Sequence, residues 1–309
     1  MTKGFFSDFF SFIFNFLKPS SENSDIPEDT TNSLDTNINE GDIMSKKALC
    51  IGINNYKGTS NDLRGCINDA KGWANILKSQ YNFDETTLLL DSKATIAQVK
   101  KQWTQLISTS NAGDTLVLTY SGHGTSVVDR NNDEEDGKDE AICLYDGLLI
   151  DDTIRDIFSK KKEGVKLVFV SDSCHSGTVT RAFINTLYGD DEEAVYAKAR
   201  YMPPEDDIEA CALSSFSIPK KSIFSPTEAD MNHILIAGCL PTEYSYDARI
   251  GGKYQGAMSY TALTILKNQP EITYDEFYTQ LRKKLPNQSW PQTPQLEGKK
   301  TETKTLMFT

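Results

Sequence analysis

Two short stretches of this 309-residue chain carry the residue types of acyl-transfer chemistry. Lys166-Leu-Val-Phe-Val-Ser-Asp-Ser-Cys-His-Ser-Gly177 is an apolar run that stops at an Asp, a Cys, a His and a Gly. Thr115-Leu-Val-Leu-Thr-Tyr120 runs in the same way into Ser121-Gly-His-Gly124. A thiol becomes a strong nucleophile once a base takes its proton, and imidazole is the side chain suited to that task near neutral pH. The chemistry indicated is attack on a carbonyl by Cys174, with His123 accepting the thiol proton and later returning one to the leaving amine. Backbone N–H groups of Gly124 and Cys174 are the natural donors to the oxyanion. Buried cysteines are usually inert packing, but Cys174 lies just past its apolar run, before a Gly. Of the three histidines, His233 begins a strand and reads as structural. His175 adjoins Cys174 in the chain, where side chains rarely meet squarely, so His123 is the stronger partner. Gly122 and Gly124 permit a tight turn and a close backbone approach around it.

Both runs have the length and β-branched content of buried parallel strands. Ligands bind at the carboxyl ends of parallel strands in open α/β sheets, which is where both candidate residues fall. The surrounding pattern agrees. Ala48 to Ile53 reads as a strand, Gly65 to Gln80 as a helix and Thr87 to Leu90 as a short strand. Thr95 and Gln98 have capping-box spacing before the apolar stripe Ile96, Val99, Trp103, Leu106 and Ile107. The His strand (114–120), an acidic loop (129–140), a strand at 141–145, a helix after Asp151-Asp152 and the Cys strand (166–172) follow. His233 to Cys239 reads as a strand and Gly256 to Leu266 as a helix. A capped helix runs from Thr273 and Glu276 to Leu285, and Lys304 to Phe308 reads as an edge strand. Alternating strands and helices predict an α/β fold, a mostly parallel central sheet with helices on both faces.

A net charge of −12 gives a nucleic-acid partner no electrostatic footprint and suits a cationic ligand or basic peptide. Six cysteines (50, 66, 143, 174, 211, 239) lack CxxC spacing and read as free thiols in a reducing, cytoplasmic setting. Residues 4–17 place Ser7, Asp8, Ser11 and Asn15 on one side of a helix and Phe and Ile side chains on the other. The run is too short and interrupted to span a bilayer comfortably, for which about 20 apolar residues are needed. Docking on a membrane surface or protein groove, or packing as a pro-segment on the chain's own domain, would each use that face. The organisation expected is an amphipathic pro-segment (1–18), a disordered linker (19–45) and a globular domain (46–309). Within the domain, a large region (46–186) and a small region (231–309) flank an irregular stretch (187–230) rich in acidic residues and prolines.

Tyr120-Ser-Gly-His-Gly124 together with Asp172-Ser-Cys-His-Ser-Gly177 resembles the metacaspase and orthocaspase branch of the caspase-like peptidases. Leu63-Arg-Gly-Cys-Ile-Asn-Asp-Ala70, Tyr246-Asp-Ala248, Gly256-Ala-Met-Ser-Tyr260 and Gln292-Thr-Pro-Gln-Leu296 match further signatures of that branch. The resemblance covers about residues 46–300. It implies a caspase-like three-layer sandwich, a His123–Cys174 dyad, protein or peptide substrates cut after Arg or Lys, and a monomer. The residues matching the substrate pocket are Cys66, Asp69, Ser121 and Asp172, and two carboxylates facing one cationic side chain is sound pairing chemistry. Lys198, Arg200, Lys220 and Lys221, exposed-looking in the irregular stretch, become candidates for self-cleavage. The resemblance also implies a calcium site at Asp139, Asp151 and Asp152, whose fourth member normally lies seven residues after the cysteine. Arg181 stands there. Either it supplies the positive charge and makes the enzyme calcium-independent, or the site is weakened. The stretch from Asp129 to Glu140 is not an EF-hand, because Glu134 occupies the position that needs Gly. Two other readings are a non-hydrolytic signalling or docking scaffold and an Asp-specific caspase-type protease.

Overall fold

In the computed structural model the described residues are 44–58, 61–128, 138–174, 197–203 and 231–309. Strands β1 (Lys46–Gly52), β2 (Glu85–Leu90), β3 (Thr115–Ser121), β7 (Lys166–Asp172) and β9 (Ile234–Ala237) are parallel neighbours in a six-stranded sheet. Its order is β12-β9-β7-β3-β1-β2, and β12 (Gln295–Glu297) closes one edge antiparallel to β9. Alternating side chains point to opposite faces of a strand, so each of these strands feeds two cores. On one face, Leu49, Ile51, Leu116, Leu118, Leu167 and Phe169 pack under helices α2 (Ile96–Thr109) and α3 (Asp151–Ser159). On the other, Ala48, Cys50, Val117, Val168 and Val170 pack under α1 (Cys66–Tyr81), α4 (Ala257–Asn268) and α5 (Tyr274–Arg282). The result is the helix–sheet–helix sandwich expected from the sequence.

The local signals act as anticipated in α2 and α5. Thr95 Oγ1 accepts the N–H of Gln98 at 3.3 Å, and Val99, Trp103 and Ile107 form the buried stripe of α2. Thr273 and Glu276 form a reciprocal capping box at the start of α5. His233 is buried against Phe158 with ring centroids 5.1 Å apart, in keeping with a structural role.

Three expectations need correction. The segment Lys304 to Phe308 is not an edge strand: a short helix, α6 (Lys300–Thr303), leads into a turn, and Thr273 and Leu306 form an isolated bridge. Its apolar character comes from packing instead, with the Phe308 ring meeting Tyr81, Phe83 and Tyr274 edge-on. Second, simple strand–helix alternation misses two antiparallel sheets. One joins β4 (Gly124–Val128), β5 (Lys138–Leu144) and β6 (Gly147–Ile150); the other joins β11 (Lys253–Gly256), β10 (Tyr246–Ile250) and β8 (Lys198–Ala199). Third, the stretch 187–230 is not irregular throughout, because β8 lies within it and pairs with β10. Residues 1–43, with the amphipathic run and almost all of the linker, lie outside the described residues.

Candidate functional site

Strands β3 and β7 run parallel in register, with Ser121 opposite Asp172. Equal lengths then carry the chain past both strand ends, so His123 and Cys174 emerge side by side, each two residues beyond that pair. Both are fully buried. The His123 backbone is held on both sides: its N–H donates to Tyr56 Oη at 2.7 Å, and its carbonyl accepts from Tyr120 Oη at 2.5 Å and from Cys143 N–H at 2.9 Å. Gly122 is needed for close approach, since a Cβ there would overlap the Tyr120 and Tyr56 hydroxyls. The imidazole tilts over Tyr56 at 5.0 Å, and Nε2 lies 2.5 Å from the carbonyl of Asn61. A carbonyl only accepts, which fixes the proton on Nε2 and leaves Nδ1 as a lone-pair acceptor. Among the described residues Nδ1 has no hydrogen-bond partner. Burial pushes the imidazole down to about 4, helped by the charges of Lys198 and Arg200 and opposed by the Asn61 and Arg200 carbonyls. It is therefore neutral at physiological pH.

The Cys174 thiol sits against Ser245, whose N–H donates to Sγ at 2.7 Å and whose carbonyl accepts from the thiol at 3.3 Å. Cys239 lies beside it in the same apolar cluster, its own thiol directed at the Ser173 and Glu243 carbonyls. Among the described residues no hydrogen bond joins the imidazole to the thiol. What lies in the cleft with them is a piece of the chain itself.

That piece, residues 198–202, lies in the manner of a bound peptide. Lys198 and Ala199 pair antiparallel with Asp247 and Tyr246. Arg200 N–H donates to the Ser245 carbonyl at 2.9 Å. The Arg200 carbonyl accepts from Gly124 N–H at 2.9 Å and from Cys174 N–H at 3.1 Å, the two donors expected for an oxyanion. Past it, Tyr201 bridges Gly124, and Met202 N–H donates to the Gly124 carbonyl at 3.0 Å.

The Arg200 side chain enters a closed acidic pocket. Its Nη2 meets Asp69 Oδ2 at 2.5 Å and Asp247 Oδ1 at 3.3 Å; its Nη1 meets Asp172 Oδ2 and the Asp172 carbonyl, each at 3.1 Å. Arg200 and Asp172 are wholly buried, and Asp69 and Asp247 nearly so. This overturns the expectation that Arg200 is an exposed basic residue: a guanidinium leaves water only where carboxylates replace its hydration, and here three do. The carboxylates are oriented in turn. Gly256 N–H donates to both oxygens of Asp69, Ser259 donates to Asp172 Oδ2 through N–H at 3.0 Å and hydroxyl at 2.7 Å, and Arg64 N–H donates to Asp247 at 2.6 Å. Ser245 Oγ also bonds Asp172 Oδ1.

Three carboxylates around one guanidinium leave negative charge uncompensated. Burial pushes Asp69 up to about 7, with Asp172 and Asp247 adding to the rise and Arg200 opposing it. Burial disfavours the charge on Arg200, but the Asp172, Asp69 and Asp247 carboxylates outweigh it and hold its pKa well above the ordinary value.

Of the residues expected in the pocket, Asp69 and Asp172 bind the guanidinium directly. Cys66 is buried at the start of α1, a neutral thiol raised by burial, and Ser121 ends β3. Asp247 was missed as a pocket residue: Tyr246-Asp-Ala248 is legible as a signature, but nothing in sequence says that β10 turns its carboxylate toward Asp69. Gln292 was missed in the same way; its side chain accepts from Tyr246 N–H at 3.1 Å and donates to the Gly238 carbonyl at 2.8 Å, fixing the start of β10. Lys198 is half-buried, with Nζ on the Asp62 carbonyl at 2.8 Å. His175, Arg181, Lys220 and Lys221 lie outside the described residues.

The proposed calcium ligands are buried as well. Asp151 and Asp152 begin α3, and both carboxylates face the Arg155 guanidinium, Asp151 at 3.9 Å and Asp152 in direct contact. Among the described residues no group of three or more acidic, His or Cys side chains is gathered for a metal. Among the described residues, Asp151 and Asp152 thus have a cationic partner in Arg155.

The family model for the metacaspase, peptidase C14 domain matches residues 46–182. Metacaspase-1 of Debaryomyces hansenii is 32% identical over 300 residues, covering 85% of this chain and 67% of that protein. Metacaspase-1 of Ajellomyces capsulatus is 32% identical over 282 residues, covering 81% and 79%. This chain spans about two thirds of the length of the Debaryomyces and Saccharomyces cerevisiae relatives. Among solved structures, a protein from Geobacter sulfurreducens is similar over 86% of this chain and 98% of its own, with a TM-score of 0.67 and 30% identity. Caspase-1 from Spodoptera frugiperda shares the fold, with a TM-score of 0.53 at 12% identity over 82% of this chain and 86% of its own.

Proposed function

This chain belongs to the metacaspase family of caspase-like cysteine peptidases, and we propose that it hydrolyses peptide bonds after arginine or lysine and cuts itself between Arg200 and Tyr201. The observation that carries the reading is the pose of Arg200, its guanidinium among three carboxylates and its carbonyl on two backbone N–H groups. An Asp side chain in that pocket would add a fourth buried negative charge, which counts against Asp-specific cleavage.

The steps follow from the donors and acceptors in place. Cys174 Sγ attacks the carbonyl carbon of the arginine, and the thiol proton passes to Nδ1 of neutral His123. The carbonyl oxygen gains negative charge where Gly124 and Cys174 N–H groups already point, so stabilisation requires no rearrangement. The C–N bond breaks as the imidazolium returns its proton to the amine of the next residue, Tyr201 in self-cleavage. Water, deprotonated by the same imidazole, then attacks the thioester and releases a new C-terminal carboxylate and the free thiol. The fork of Nη1 and Nη2 reads separate carboxylates, which a single ammonium cannot reproduce, so arginine is cut faster than lysine.

The Arg155 pairs also favour an activity independent of calcium, because Asp151 and Asp152 already face a cation. Short fluorogenic peptides ending in Arg, Lys or Asp, assayed with calcium and with a chelator, test these statements together. Turnover should be higher for Arg than for Lys, absent for Asp, and unchanged under chelation. Cleavage after Asp, or activity lost with the chelator, contradicts this reading. Cys174→Ala should abolish self-cleavage on a gel, and undiminished processing of the purified variant would remove the mechanism.

A further inference from the structure

Beyond the arginine, the chain's own segment continues into a second side-chain site. Gly124 organises it: its N–H holds the Arg200 carbonyl and its carbonyl takes the Met202 N–H, so the backbone after the cleaved bond is guided along the start of β4. This fixes the direction of the second residue past the bond. The Met202 side chain is buried and joins the apolar cluster of Tyr56, Cys143, Leu144 and Leu148. A cavity of about 120 Å³, lined by those residues, by Met202 itself and also by Lys57 and Asp146, lies alongside it. The walls come from the loop after β1 and from the β5–β6 hairpin, elements separate from those that form the acidic pocket.

Resting on the arginine-directed reading above, we infer that this cavity is a substrate subsite that selects a large apolar side chain at the second position after the cleaved bond. A cavity that stays partly open beyond Met202 accepts a longer or bulkier apolar group against Tyr56, Leu144 and Leu148, while Lys57 and Asp146 bring opposite charges to its lining. The subsite also touches the chemistry. Tyr56 lines it, and the same tyrosine accepts the His123 N–H and lies tilted against the imidazole. A filled subsite therefore packs Tyr56 in place and steadies His123, so its effect extends from KM to kcat.

The test is a set of internally quenched peptides of sequence Ala-Lys-Ala-Arg-Tyr-X-Pro, with X as Met, Phe, Ser or Asp. The enzyme is the full chain, assayed after its own processing is complete. Burying a Met-sized side chain is worth about 1.5–3 kcal/mol, so kcat/KM should fall about 10- to 100-fold from Met to Ser, and Asp should do no better than Ser, since Asp146 offsets Lys57 in the lining. Phe should match Met, and part of the fall should appear in kcat. Cleavage at the Arg–Tyr bond with equal kcat/KM for all four peptides overturns the subsite and leaves the arginine reading intact. Failure to cut any of them at that bond overturns the arginine reading itself.

Discussion

In the proposed reaction Arg200 joins recognition to catalysis, because one residue places a cation in the acidic pocket and a carbonyl on the Gly124 and Cys174 N–H groups. The pocket's carboxylates should therefore control both rate and pH response. Asp69 has its pKa raised to about 7, so its negative charge is present above that pH and is lost as pH falls through it. His123, held down to about 4, stays neutral across the same range and contributes no acid limb there. The expected profile is a decline of kcat/KM toward an Arg peptide as pH falls and the Asp69 charge is lost, carried mainly by KM. Asp69→Asn should remove that limb and lower kcat/KM about 10- to 100-fold at pH 8, the scale of one charge-assisted hydrogen bond. A limb unchanged in the variant assigns the titration to another group. Asp247→Asn should weaken arginine cleavage in the same direction, measured with the same peptide, despite having drawn no attention as a pocket residue in the sequence.

At the scale of elements, the site is a meeting of strand ends with a hairpin. The ends of β3 and β7 supply His123 and Cys174, α1 supplies Asp69, and the β10–β11 hairpin supplies Asp247, the Ser245 backbone and the Gly256 N–H. Gly256 has no room for a side chain, since a Cβ would overlap Asp172 and the Arg200 guanidinium. Gly256→Ala should thus impair arginine cleavage at least 10-fold without removing a charge, with circular dichroism showing the fold retained; full activity would mean that the pocket is looser than described.

The parallel strands were legible because apolar runs bounded by Gly, Ser and Asp have few other readings, and the two chemical residues stood at their ends. The antiparallel sheets were not legible. β4 is five residues of mixed character and β10 carries a buried Asp and an exposed Arg, patterns that gain meaning only once the partner strands are known. The burial of Arg200 was hidden for the same reason: a basic residue between acidic runs reads as solvated until the pocket it enters is assembled from residues 69, 172 and 247.

For the whole molecule, stability and site geometry share one framework. Trp103, Phe158 and Phe169 pack with ring centroids within 5.7 Å of one another beneath the strands that carry the site. Trp103→Ala should cost about 3–5 kcal/mol, measured as a lowered urea midpoint, since it empties a fully buried position. Replacing Arg200 itself leaves three buried carboxylates without their cation, a loss on the order of 3–5 kcal/mol for the intact chain. Arg200→Ala should accordingly unfold at lower urea than the parent while opening the cleft to peptides added in solution.

The most direct measurement is the N-terminal sequence of the fragment released when the purified chain processes itself. Self-cleavage in the pose described gives a new terminus at Tyr201, absent from Cys174→Ala. A chain that stays whole, or a first cut after an acidic residue or at any bond other than Arg200–Tyr201, would contradict the proposed cleavage.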